Sequence, residues 1–360
     1  MSKVSLRGVT VRYGDTTALH PLDLDIPQGQ FLTLLGPSGC GKTTTLRLIA
    51  GFLRPRAGRI LFDDEDVSDT PPNRRRIGMV FQDYALFPHM TVAGNIAFGL
   101  HERRVAAGEI KRRVSELLEL IHLPDLGHRY PSELSGGQRQ RVALARAVAH
   151  PPRVLLMDEP LGALDVKLRE TMQAEIQHIQ RRLGITTVFV THDQSEAMSM
   201  SDWIVVMNRG RIVQAGTARD LYDHPRSRFV ADFFGRINLL PIIVRDNAWV
   251  EVLGRTLRHS SARSAGPAIL AVRPEHLRLL PTDADGLPGR IVTIQFLGNL
   301  IRCDVVLAAD IIVTVETTPD DPLAVPDTAV RIAWDTDKFT LFDHEPTSPP
   351  QEDPHHADAI

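Results

Sequence analysis

FLTLLGPSGCGKTT, residues 31–44, carries an apolar run into a glycine-rich loop with a single lysine and then into good helix formers. The pattern G-x-x-x-x-G-K-[ST] is met by Gly36, Gly41, Lys42 and Thr43, with Gly39 inside it. Its physical demand is close approach. Backbone N–H groups must converge on a polyphosphate, and side chains at these positions would block the nest or force disfavoured backbone angles. Phe31–Leu35 reads as a buried parallel strand, and Thr43–Phe52 as the helix whose positive N-terminus faces the phosphates. Lys42 then supplies a mobile charge at the outer phosphates, and Thr43 a hydroxyl for Mg²⁺. A glycine turn before an ordinary helix would share these residues, but average composition yields the pattern in only about 1% of chains this long.

Other strand ends point to the same place. Arg153–Pro160, RVLLMDEP, is an apolar run closed by two acids, which predicts a second buried parallel strand. Ligands of open α/β sheets bind at the carboxyl ends of strands. Adjacent carboxylates there diverge, so Asp158 can hold Mg²⁺ while Glu159 polarises a water; the bland alternative is a pair of solvated loop acids. Ile185–Val190 predicts a third strand, and it delivers His192 to the sheet that carries Glu159, a placement that favours a phosphate-facing role over a structural one. Ile77–Phe81 predicts a fourth, followed by Gln82, which alone reads as an unremarkable turn residue.

Leu134–Gln138 reads LSGGQ and opens a helix that stops before Pro151-Pro152. Ser135 is placed as N-cap, and Gly136 and Gly137 leave the first amides uncovered, so this is a second helix N-terminus able to receive an anion. Asp165–Gly184 is the clearest helix, with Leu168, Met172, Ile176, Ile179 and Leu183 on one face, Asp165 as N-cap and Gly184 as the stop.

The flanking segments are less chemical. Val4–Tyr13 and Leu22–Ile26 alternate as antiparallel strands do, and Tyr13 either caps a sheet edge or stacks on a nucleobase, a contact worth ~1–3 kcal/mol. Arg74, Arg75 and Arg76 read as a solvated charge run. Tyr84–Phe98 is apolar enough to offer a docking surface, and Glu109–Ile121 predicts an amphipathic helix. A hairpin is expected at Trp203–Met207 and Arg211–Gln214. From about residue 236 to 345 come short alternating runs split by Gly, Pro and Asp, a small all-β domain of barrel or sandwich type. The last residues, 346–360, rich in proline and acids, are expected to be disordered.

The chain has 360 residues, 43% hydrophobic and 24% charged, which suits two globular domains. A net charge of -3 argues against a general nucleic-acid partner. Cys40 and Cys303 make neither a disulfide framework nor a zinc site, so a reducing cytoplasm is the expected compartment. No uninterrupted apolar stretch of about 18 residues and no leader pattern are present, so any membrane span is expected from a partner.

Taken together the motifs resemble the ATP-binding cassette (ABC) family. GPSGCGKTT resembles its Walker A loop, LSGGQ its signature, VLLMDEP its Walker B strand with catalytic glutamate, and LGALD its D-loop. His192 matches its switch histidine, Gln82 its Q-loop and Tyr13 its adenine-stacking position. The resemblance implies an α/β P-loop cassette over residues 1–235, with a mostly parallel sheet and a helical subdomain. It implies ATP contacts along Gly36, Pro37, Ser38, Gly39, Cys40, Gly41, Lys42, Thr43 and Thr44, and at Ser135, Gly136, Gly137 and Gln138. Mg²⁺ falls to Thr43, Gln82 and Asp158, and catalysis to Glu159, His192 and Gln82.

QDYALFPHMTVAGNIAFGL and the β-rich C-terminus with AVRPEH and GRIVTIQFLGN are similar to bacterial importer ATPases of the maltose, polyamine and ferric-ion group, whose last domain is an OB-like TOBE domain. The implied protein couples MgATP binding and hydrolysis to uptake of a small polar solute such as a polyamine, ferric ion or phosphonate. It would sit at the cytoplasmic face of the inner membrane with a second copy of itself, two transmembrane permease subunits and, indirectly, a periplasmic solute-binding protein. A soluble ABC ATPase of DNA repair or translation shares the cassette but not this C-terminal domain. A P-loop kinase would leave LSGGQ unexplained.

Overall fold

The computed structural model describes residues 1–162, 164–246, 249–258, 265–335 and 338–343. The chain divides into two compact units, one ending at Leu221 and the other beginning at Tyr222. The sequence placed the boundary near 235; of two short helices here, α7 (Ala218–Asp223) straddles the division and α8 (Arg228–Phe233) lies between it and residue 235. The expected disordered tail lies outside the described residues.

In the first unit, β1 (Val4–Tyr13), β2 (Thr16–Ile26), β4 (Ala57–Phe62) and β5 (Glu65–Asp66) form a sheet of order β2-β1-β4-β5, antiparallel throughout. The second sheet takes β3 (Phe31–Leu35), β6 (Ile77–Val80), β7 (Val154–Asp158), β8 (Thr187–Thr191), β9 (Trp203–Asn208) and β10 (Arg211–Gly216) in the order β10-β9-β3-β8-β7-β6. Only β10 runs antiparallel to its neighbour. The helices are α1 (Lys42–Ala50), α2 (Val92–Glu102), α3 (Ala107–Leu120), α4 (Gly136–Val148), α5 (Val166–Leu183) and α6 (Gln194–Met200).

The near-continuous apolar strands follow from burial on both faces. Because side chains alternate along a strand, Phe31, Leu155, Met157 and Phe189 enter one core with α2, α3, α4 and α5. Leu32, Leu34, Val154, Leu156, Val188 and Val190 enter another, with α1 and the antiparallel sheet. The expected apolar face of α5 is real: Met172, Ile176 and Ile179 are buried, Asp165 accepts from the Leu168 amide, and Gly184 closes the helix in the left-handed region.

Arg75 departs from expectation. It is 1% exposed rather than solvated. Its guanidinium donates to the carbonyls of Leu48 (2.6 Å), Ile49 (2.9 Å), Thr70 (2.7 Å) and Ser68 (3.1 Å), so it closes the C-terminal end of α1. Burial lowers its pKa to about 10, which leaves it charged at neutral pH.

The second unit carries β11 (Asn238–Asp246), β12 (Trp249–Val252), β13 (Arg255–Arg258), β14 (Gly266–Val272), β15 (Leu277–Leu280), β16 (Leu287–Phe296), β17 (Ile301–Val306), β18 (Ile312–Thr317), β19 (Ala329–Trp334) and β20 (Phe339–Asp343). They make two antiparallel five-stranded sheets, β13-β12-β11-β14-β20 and β15-β19-β16-β17-β18, around one shared apolar core. The expected all-β character of this region holds throughout the described residues, apart from short 3₁₀ turns and, at its start, α8 and the end of α7. β13, β15 and β20 went unread because each has only four or five residues, too few to show a clear alternation.

Candidate active site

The phosphate loop leaves β3 at Leu35 and enters α1 at Lys42, with Gly41 as N-cap at φ 107° and no side-chain cap. Uncapped first amides of a helix are open donors. At Gly36, φ is 154° and a Cβ would lie 2.2 Å from the Met207 carbonyl oxygen, so only glycine fits beneath the loop. Lys42 Nζ donates to the carbonyls of Gly36 (2.6 Å) and Pro37 (3.0 Å), folding across the cradle it is expected to serve. Cys40 is buried, and that burial raises its thiol pKa, so it packs the loop from inside.

β3, β8 and β7 are hydrogen-bonded neighbours, and their carboxyl ends assemble the acids and the histidine. Thr43 Oγ1 donates to Asp158 Oδ1 at 3.1 Å, joining the loop to the end of β7. Burial raises the Asp158 carboxyl above 3.8, opposed by the Thr43 hydrogen bond. Glu159 follows with φ 45°, a left-handed backbone that costs on the order of 1–3 kcal/mol in a non-glycine residue. Its Oε2 lies 3.2 Å from His192 Nδ1, directly after β8. A Cβ on Gly162 would lie 4.0 Å from Gln82 Nε2, so the Gln82 amide sits beside the turn that follows Glu159.

The LSGGQ segment forms a reciprocal cap. Ser135 Oγ accepts from the Gln138 amide (3.3 Å), and Gln138 Oε1 accepts from the Ser135 amide (3.0 Å). Ser135 is exposed, whereas Gly137 is packed so closely that a Cβ would meet Leu168 Cδ1 at 2.9 Å. The hydrogen bonds of Ser135 and Gln138 run to each other rather than to the Thr43–Asp158 and Glu159–His192 pairs. Tyr13, at the end of β1, is 52% exposed and offers an open ring rather than a capped edge. Ala163, within LGALD, lies outside the described residues.

The apolar stretch after Gln82 divides in two. Tyr84, Val92, Ile96 and Ala97 are buried in the helical core, and Leu86 packs against it. Phe87 instead lines a groove of about 420 Å³ with Phe81, Phe98, Arg103, Arg146 and His150. Two residues hold it that sequence reasoning missed. Arg146 donates to the carbonyls of Ala85 (2.7 Å) and Tyr84 (2.9 Å) and lies 5.4 Å from the Phe87 ring centre. Asn95, fully buried, donates to the carbonyls of Phe87 (3.1 Å), Met90 (3.2 Å) and Thr91 (3.0 Å). The available signal was a polar residue inside an apolar helical stretch, ALARAVA and AGNIAF.

Comparison with known proteins decides the family. The family described as ABC transporter matches residues 19–162, and the TOBE domain family matches 270–342. The chain is 49% identical over 308 residues to the Fe(3+) ions import ATP-binding protein FbpC of Brucella abortus, covering 84% of this chain and 87% of that protein. The chain belongs to the ABC transporter family. It has the arrangement of import ATP-binding subunits, an ATP-binding cassette followed by a TOBE domain, and is an ATPase.

Another relative is the spermidine/putrescine import ATP-binding protein PotA of Frankia alni, 50% identical over 303 residues; the match covers 78% of this chain and 65% of that longer protein. PotA of Marinobacter nauticus is 45% identical over 367 residues, covering 97% of this chain and 98% of that protein. Among solved structures, cbiO1 of Clostridium perfringens, part of the ABC transporter complex cbiONQ, shares the fold at a TM-score of 0.57 and 31% identity, covering 61% of this chain and 89% of that one. Among the described residues, no helix is long and apolar enough to cross a membrane.

Proposed function

We propose that this ABC ATPase powers bacterial uptake of a small polar solute, working as a pair of identical chains on two transmembrane permease subunits at the cytoplasmic face of the inner membrane. The relatives' names bring spermidine, putrescine and ferric ion forward as solutes; a periplasmic binding protein would deliver the solute to the permease. The observation that carries the paired reading is that one chain holds two phosphate-receptive helix ends, at Lys42 and at Gly136, but one hydrolytic set. The second helix end therefore serves the nucleotide of the other copy, and each ATP lies between two chains.

The chemistry divides among named groups. Thr43, Asp158 and Gln82 supply hard oxygens suited to Mg²⁺, which would neutralise charge on the phosphate oxygens when bound. Lys42 leaves its two carbonyls for the phosphates. Glu159 accepts the proton of the attacking water, and His192, 3.2 Å from that carboxylate, fixes its orientation and faces the terminal phosphate. Tyr13 stacks on the base. The groove at Phe87 receives a cytoplasmic helix of the permease.

Sedimentation tests the shared site. Glu159→Gln is expected to shift to dimer with MgATP, and adding Ser135→Arg to return it to monomer that still binds nucleotide. A dimer that survives the Ser135 change shows association by another surface. Co-purification with two hydrophobic membrane proteins supports the importer assignment, and co-purification with DNA or ribosomes instead overturns it.

A further inference from the structure

Arg169, at the start of α5, joins the two turns that carry the hydrolytic pair. Its Nη2 donates to the Leu164 carbonyl at 3.2 Å, and its Nη1 to Asp193 Oδ2 at 3.0 Å. Leu164 ends the turn after Glu159, where the Gly162 amide donates to the Glu159 carbonyl at 3.3 Å. Asp193 directly follows His192, and its amide donates to Thr191 Oγ1 at 3.0 Å. That hydroxyl in turn donates to Glu196 Oε2 at 2.6 Å, and Glu196 lies 3.7 Å from Arg169. The side chain is 26% exposed, so these partners are largely shielded from water. One residue earlier, Leu168 packs against Gly137 of LSGGQ.

We propose that Arg169 is a positioning residue through which loading of the Ser135–Gly137 helix end by the second copy's nucleotide sets His192 against Glu159. The inference rests on the two-copy reading above. Leu168 is the neighbour to which a shift of Gly137 passes first, since its side chain fills the space beside Gly137 where a Cβ would stand. The first turn of α5, capped by Asp165, moves as one piece, and Arg169 carries the movement to Asp193. The planar guanidinium is required because two acceptors on different turns are held at once; one ammonium on a flexible stem holds either poorly.

The test is ATP turnover of the full chain against MgATP concentration, with nucleotide affinity and thermal unfolding measured on the same preparations. In Arg169→Met, kcat is expected to fall about ten-fold with KM within about two-fold, and the Hill coefficient to fall towards one. Arg169→Lys should recover part of both. Asp193→Asn keeps the cap on the Ser195 and Glu196 amides while weakening the ion pair, so it decides the matter if Arg169→Met does not fold, and it should also lose cooperativity. Lower unfolding temperature with unchanged kcat and Hill coefficient in the folded fraction overturns the inference. So does full activity of Asp193→Asn. If Glu159→Gln fails to dimerise with MgATP, the two-copy reading falls and takes this one with it; a normal dimer with unchanged cooperativity sinks the Arg169 role alone.

Discussion

Arg75→Met removes the guanidinium that closes the C-terminal end of α1. Leu48 O keeps a second donor in the Gly51 amide, so the carbonyls of Ile49, Thr70 and Ser68 bear the loss. An orphaned buried acceptor costs about 1–3 kcal/mol, and burying an apolar side chain of methionine size returns about 2 kcal/mol. Three acceptors at mid-range against that return leave a net loss of about 4 kcal/mol. For a domain of this size, that lowers the unfolding temperature by roughly 8–16 °C. The same change loosens the helix whose first turn is assigned to the phosphates, so ATP affinity should weaken although residue 75 lies at the other end of that helix. Calorimetry on the full chain, with nucleotide titration below the transition, reads both. A first-unit transition within about 1 kcal/mol of the parent would show that the three carbonyls find other partners and that the clamp is not holding the helix.

Lys42→Ala should weaken ATP binding itself, whereas Glu159→Gln should keep it and lose turnover; near-normal hydrolysis in Glu159→Gln with its membrane partners removes Glu159 from its role. Phe87→Asp should abolish membrane association with ATP binding intact, while Leu86→Asp, whose side chain packs on the helical core, should chiefly cost stability; a pull-down with unfolding curves separates them, and retained association of Phe87→Asp refutes the groove's assignment. With its pKa raised above the unfolded value of 3.8 by burial, Asp158 subtracts stability increasingly as pH rises from 3.8 through its folded pKa. Asp158→Asn should therefore unfold at higher temperature at pH 7 while losing hydrolysis; a lower transition overturns the burial argument.

What could be read from residues alone follows the strength of the local signal. The phosphate loop, the end of β7 and the caps Ser135 and Asp165 were legible because each imposes a chemical demand on consecutive positions. Arg75 was misread since a charge run looks the same whether its middle member faces water or four carbonyls; the acceptors come from residues 48, 49, 68 and 70. Tyr84–Phe98 was read as one surface because periodicity does not tell an apolar side chain facing a core from one lining a groove. Arg146, Asn95 and Arg169 act on backbone atoms or side chains distant in sequence, and that information exists only after folding.

The central strands feed two separate interiors, with odd and even positions answering to different neighbours. One interior grips α1 and the nucleotide loop; the other supports the helices around the Phe87 groove. Under the proposed docking of a permease at the Phe87 groove, a change of membrane partner would fall on one set of alternate side chains and leave the other, around the proposed nucleotide loop, in register. The sheet works as a shared wall between two rooms, and its strand ends, where Asp158, Glu159 and His192 sit, are the doorway through which rearrangement in either room is felt.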